Sequence, residues 1–125
     1  MHFDNNFDIT VLFDLQEPVY SFIVKCKHDS IGEILINIKL TMIFTEKGIA
    51  IKYKKNTVKE IFYGEIKSWN LQDNIFKIIM QKSEYVFKIK ENKGIYCNLA
   101  MGYFTHRQAY YYQLYKNKKL ELEKI

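Results

Sequence analysis

The repeat of apolar side chains changes once along this chain, near residue 90, and that change restricts the fold more than any other feature. Upstream, apolar and polar residues alternate in short runs separated by turn formers, which is the two-residue period of strands. Downstream they recur every three or four residues, the period of an amphipathic helix. In residues 20–28, Phe22, Val24, Cys26 and His28 form one face, and Ser21, Ile23, Lys25 and Lys27 form a wet one. Asp29-Ser30-Ile31-Gly32 reads as a turn, and the β-branched run over 34–44 predicts one long strand. Thr45-Glu46-Lys47-Gly48 predicts a hairpin, after which Ile49, Ile51 and Tyr53 alternate with Ala50, Lys52 and Lys54. A turn at Lys54-Lys55-Asn56 leads to a strand over 57–63. Gly64 then marks a corner before a strand holding Ile66, Trp69 and Leu71. The polar turn Gln72-Asp73-Asn74 precedes strands over 75–80 and 85–89, giving seven short strands in succession, a meander.

The helical segment is expected over 92–116, with Asn92 as N-cap and Ile95, Leu99, Gly102, Tyr103, His106, Tyr110 and Leu114 as its buried stripe. Gly102 on that stripe would let the helix backbone come close to the sheet. Before the first strand, Phe3, Phe7, Ile9, Val11, Phe13 and Leu15 alternate with polar residues, as in an extended arm over 1–19 that Pro18 terminates. The organisation expected is this arm, one domain over 20–116, and a tail or helix extension over 117–125. The fold class is α+β: a seven-stranded bent antiparallel sheet, or partly open barrel, capped by one C-terminal helix.

Size and composition exclude several classes. A chain of 125 residues accommodates one domain, and its longest apolar runs fall short of the roughly 18 residues that span a bilayer. The net charge of +5 rests on lysine, because Arg107 is the one arginine among 19 basic residues. Phosphate and guanine recognition favour the planar arginine fork, so this surplus indicates solubility or diffuse attraction to an anionic surface, and nucleic acid is not expected as a partner. Cys26 and Cys97 have no ligand-like spacing, which suits reduced, buried thiols in a cytoplasmic protein without a metal or other cofactor. No leader-like or lipidation pattern is expected from the start Met1-His2-Phe3. His2, His28 and His106 stand without Ser, Cys or Asp partners at catalytic spacing, and there is no P-loop, dinucleotide or EF-hand motif. The expectation is a protein that is not an enzyme.

The order of seven strands and one helix resembles the pleckstrin-homology superfold. A closer resemblance lies in the segment Glu65-Ile66-Lys67-Ser68-Trp69-Asn70-Leu71-Gln72-Asp73-Asn74-Ile75-Phe76-Lys77-Ile78, with Glu84-Tyr85-Val86-Phe87 and the helix over 95–110. It is similar to the C-terminal lobe of FERM domains, including the myosin-tail kind, where an Ile-x-x-Trp strand, a polar turn and a Phe-x-Ile strand follow in this order. Ile34-Leu35-Ile36 and Glu46-Lys47-Gly48-Ile49 resemble that lobe's second and third strands. The resemblance covers residues 20–115. It stops short of a whole FERM domain, because 19 preceding residues cannot supply the two lobes that come before this one.

That resemblance implies a protein-interaction adaptor in a cytoskeletal, motor or cortical setting, and two binding surfaces. One is the groove between the fifth strand and the helix, where an extended peptide can add to a strand edge. Its lining is expected from Lys67, Ser68, Trp69 and Asn70 on the strand and Tyr103, Phe104 and Arg107 on the helix. Without an arginine in the pocket strands, phosphotyrosine is not the expected ligand. The other surface is the open end of the barrel, where Lys25, Lys27 and His28 meet Lys52, Lys54 and Lys55, the two places at which phosphoinositide-binding relatives carry basic residues. Here Asp29, Glu33 and an Ile-Leu-Ile opening of the second strand depart from the lipid-binding pattern. On the helix, Phe104, Tyr111 and Tyr115 share one side and suggest an aromatic patch covered by residues 1–15, by a partner protein or by a second copy in a homodimer.

Overall fold

The computed structural model describes residues 19–90 and 94–123, with side chains to residue 118. The expected arm, apart from Val19, and the Asn92 cap lie outside the described residues. Seven strands appear in chain order: β1 (Tyr20–Asp29), β2 (Lys39–Phe44), β3 (Gly48–Tyr53), β4 (Asn56–Phe62), β5 (Ile66–Gln72), β6 (Ile75–Met80) and β7 (Glu84–Ile89). A 3-10 turn (Tyr63–Glu65) separates β4 from β5, and one long helix, α1 (Ile95–Glu123), follows. All neighbours are antiparallel in the order β4-β3-β2-β1-β7-β6-β5. Because β4 and β5 do not pair, the barrel is not closed.

The sheet is strongly bent. Three strand spacings of about 4.8 Å separate β2 from β6 in a flat sheet, yet the Phe44 and Phe76 rings are 6.4 Å apart. The two halves therefore fold over one core, built from Phe22, Val24, Cys26, Ile49, Ile51, Phe76 and Ile78, which alternation places on one face of their strands, together with Leu40, Met42, Phe87 and their neighbours. His28 leaves that set, because a register shift between Cys26 and His28 turns it outward.

The long strand expected over 34–44 is a loop followed by a short strand. Asn37 sits at φ 62°, a left-handed conformation that asparagine tolerates and a continuous strand cannot contain. Asp29 organises the loop: its Oδ1 accepts from the Ile31 N–H (3.0 Å), and its Oδ2 accepts from those of Glu33 and Ile34 (both 2.7 Å). Ile34 is thereby held in the core while Leu35 and Ile36 face solvent. The predicted hairpin at Thr45–Gly48 forms, closed by Thr45 N–H donating to Gly48 O at 2.9 Å. Asp73 and Asn74 both take positive φ, as a two-residue hairpin with the twist of its strands requires.

The helix has the predicted period but not the predicted phase. Its inward residues are Cys97, Ala100 and Phe104, with Tyr111 half-buried beyond them, whereas Ile95, Leu99, Tyr110 and Leu114 are 78%, 57%, 53% and 48% exposed. Gly102 is exposed with open space where a Cβ would stand, so it makes no close approach. That role falls to Gly64, where a Cβ would come 2.9 Å from Tyr111 O. Phe104, placed on a surface patch by sequence, is fully buried and anchors the aromatic core, 4.9 Å from Trp69, 5.4 Å from Phe76, 5.5 Å from Phe44 and 5.6 Å from Tyr63. Thr45 O accepts from both Tyr63 Oη (2.6 Å) and Tyr103 Oη (3.3 Å), which fixes the helix to the β2–β3 turn.

Candidate partner groove and lysine end

Strand β5 is a sheet edge that, among the described residues, pairs only with β6. Alternation turns Trp69 and Leu71 toward the helix and leaves Ser68 and Asn70 exposed on the other face. Phe104 and Phe76 hold the Trp69 indole edge-on. Beside it, Leu71, Asp73, Asn74, Cys97, Asn98 and Met101 complete a groove between the β5–β6 hairpin and the first turns of α1. Of the residues expected to line this groove, only Trp69 does so. Lys67 instead borders a separate cavity of about 440 Å³ with Lys59, Tyr85, Tyr112 and Tyr115. Phe104 is core. Tyr103 and Arg107 lie on the opposite flank of α1, where the guanidinium stands 5.4 Å over the Tyr103 ring and 4.0 Å from Glu46. Tyr111 packs 6.4 Å from Tyr63, and Tyr115 is exposed. The helix residues missed by sequence, Cys97, Asn98 and Met101, follow once the helical phase is read from Cys97, Ala100 and Phe104, and Leu71 follows from its alternation with Trp69 on β5.

The groove contains no reactive nucleophile. Burial pushes the Cys97 thiol up, and burial does the same to Cys26, so both remain protonated near neutrality. Burial also pushes Tyr63 and Tyr103 up, keeping both phenols neutral hydrogen-bond donors. Among the described residues no group of three His, Cys, Asp or Glu side chains could hold a metal ion. What the groove offers is a patch of apolar surface at Trp69, Leu71 and Met101, a polar rim of Asp73, Asn74 and Asn98, and a strand edge that no other strand covers among the described residues, with Gln108 Nε2 donating to Ile66 O at its start (2.8 Å).

The predicted lysine residues do gather at one end of the sheet, but some are engaged. Lys27 Nζ donates to Asn37 Oδ1 at 2.8 Å, and His28 Nε2 lies 3.3 Å from Glu84 Oε1. Lys54 occupies the β3–β4 turn at φ 56°, its ammonium 5.2 Å from the Tyr53 ring centre, while Lys55 is exposed and Lys52 half-buried between Thr41 and Thr57. Register adds two members that sequence did not single out: Lys39 and Lys88 sit directly opposite Lys25 on β2 and β7. All three are exposed, and among the described residues none pairs with a carboxylate. Like charges in register cost stability, so this row is a site of concentrated positive potential. The acidic residues of the first turn do not neutralise it. Asp29 is occupied by loop amides, and Glu33 accepts from Lys59 at 3.2 Å. Burial alone would lower the Lys59 pKa, but its contacts with Glu33 and Tyr85 together more than offset this, and the net shift is upward. The second strand opens with Lys39, not with Ile-Leu-Ile.

Comparison with known proteins supports the architecture. No protein-family model matches the chain, and no curated protein matches it in sequence. Among solved structures, it is similar to the FERM and C-terminal domain complex of Drosophila Merlin at TM-score 0.58 and 16% identity, covering 82% of this chain and 33% of that one. The fold is pleckstrin-homology-like. The chain spans about a third of the Merlin chain, and at this identity the likeness concerns fold alone. The N-terminal PH domain of human ARAP2 is also similar, at TM-score 0.48 and 17% identity over 70% of this chain and 76% of that one. Among the described residues, no helix of this PH-like domain is long and apolar enough to cross a membrane.

Proposed function

We propose that this PH-like domain is a non-enzymatic adaptor that receives an extended partner peptide on β5, with apolar side chains entering the groove between Trp69, Leu71 and Met101. The observation that carries this reading is a sheet edge, open among the described residues, running beside a groove in which Trp69, Leu71 and Met101 are flanked by the polar Asp73, Asn74 and Asn98. Strand addition supplies backbone hydrogen bonds without regard to sequence, and the groove selects side chains at alternate positions. The resemblance of the chain to a FERM C-terminal lobe favours a cytoplasmic, cytoskeletal or cortical setting and a protein tail as ligand. Affinity capture with wild type beside Leu71→Asp and Met101→Asp variants tests it: a protein partner lost from both variants, while their folding is intact by circular dichroism, is expected. Retention of every partner would contradict it.

A second reading is favoured by the in-register row of Lys39, Lys25 and Lys88 beside Lys27, Lys54 and Lys55. In it, the lysine end docks on an anionic membrane and takes phosphoinositide headgroups as point-charge partners, each lysine contributing up to about 1 kcal/mol near the surface. Sedimentation with phosphoinositide-containing vesicles should show binding that falls steeply with salt and with Lys25→Glu/Lys39→Glu. Binding by the variant equal to that of wild type would remove this reading.

A further inference from the structure

Ile95, Leu99, Tyr110 and Leu114 form an apolar stripe on the outer face of α1 that nothing covers among the described residues. Gly102, Thr105, His106 and Ala109 make a shallow floor alongside it, between Met101 and Tyr110. The described chain begins at the border of this stripe. Val19 N–H donates to Phe44 O at 2.9 Å, and the Tyr20 ring lies 5.4 Å from Tyr96 and 5.7 Å from Tyr103. Tyr96 and Tyr103 occupy the flank of α1 next to Leu99 and Tyr110, which are three and seven residues further along the helix and turn only about 60° and 20° away.

We propose that residues 7–15 of the same chain lie along this outer stripe, with Phe7, Ile9, Val11, Phe13 and Leu15 directed onto Leu99, Tyr110 and Leu114. Three observations select this occupant. The attachment point is one, because the first described residues, Val19 and Tyr20, stand at the stripe's own edge beside Tyr96 and Tyr103. Charge is the second: residues 1–18 carry Asp4, Asp8, Asp14 and Glu17 with no Lys or Arg, while α1 carries Arg107, Lys116, Lys118 and Lys119 against Glu121 and Glu123 in its last turn. Length is the third. Nine extended residues reach roughly 30 Å, more than the roughly 23 Å from Leu99 to Leu114 along the helix. Tethering supplies an effective concentration in the millimolar range, so a contact too weak to hold a separate molecule is populated within one chain. The docked segment lies across the helix from the β5 groove flank and leaves that groove open.

Nuclear Overhauser contacts in the uniformly labelled full chain, at a concentration where light scattering gives a monomer, test the proposal. Contacts from the Val11 and Ile9 methyls to Leu99 and Tyr110 are expected. They should vanish in Leu99→Asp/Tyr110→Asp and equally in Val11→Asp/Phe13→Asp, while the Phe44–Phe104 core contacts persist in both and show that the fold is retained. No arm contacts, or contacts from the arm to Lys25, Lys39 and Lys88 instead, would overturn it. So would stripe contacts found only between differently labelled chains in a species of twice the mass, which would assign the stripe to a second copy.

Discussion

The two long faces of α1 both carry apolar side chains and meet opposite fates. The inner face carries small side chains and one large ring, Cys97, Ala100 and Phe104, because the strands already fill the core with Phe44, Tyr63 and Phe76 and leave room for little else. The outer face carries Ile95, Leu99, Tyr110 and Leu114, side chains too large for that space and mostly solvent-facing. Apolarity at helical spacing thus identifies a helix without saying which side the sheet will take. Complementary volume decides the side, and the face left over becomes surface available for binding.

Mutations should separate the faces sharply. The largest effect is expected at Phe104, where truncation to alanine should lower stability by about 3–5 kcal/mol in denaturant unfolding, since four aromatic neighbours lose their packing. Gly64→Ala comes next: its Cβ would press on the helix backbone at Tyr111, and overpacking of that kind costs about 1–3 kcal/mol. Tyr63 then gives the inner face a pH signature. Its phenol is neutral in the fold and free to ionise near pH 10.0 once unfolded, so the unfolded state gains stability as pH rises past that value. Stability should hold below about pH 9 and fall by about 1.4 kcal/mol per pH unit above pH 10, and Tyr63→Phe should remove that component of the alkaline slope. Smallest is Leu99→Ala on the outer face, expected within about 0.5 kcal/mol of wild type. A loss at Leu99 as large as that at Phe104 would erase the distinction between the faces.

The sheet was legible in the sequence because a two-residue period leaves only two faces, and alternation with lysine chose between them at Phe22, Val24 and Cys26. The seven strands, their meander and the C-terminal helix follow from that. Asn37 escaped notice because a single left-handed residue inside Ile-Leu-Ile-Asn-Ile interrupts a strand without altering its hydropathy. The helix was misphased because Ile95, Leu99, Tyr110 and Leu114 outweigh Cys97 and Ala100 in any count of apolar bulk. The observed phase places Tyr103 and Arg107 on the opposite flank of α1 and Phe104 in the core, while Cys97, Asn98 and Met101 face the β5–β6 hairpin beside Trp69. At the lysine end, Lys25 was evident from alternation, whereas Lys39 and Lys88 emerge only from strand register, which pairs residues 14 and 63 positions away from it.

The central claim is that partner recognition belongs to the β5–helix groove and not to the lysine end. It is tested most directly by parallel affinity capture from the protein's own cells with wild type, Leu71→Asp/Met101→Asp and Lys25→Glu/Lys39→Glu. The account predicts a stable protein partner captured by wild type and by the lysine variant and lost from the groove variant. A partner retained by the groove variant and lost from the lysine variant would contradict it.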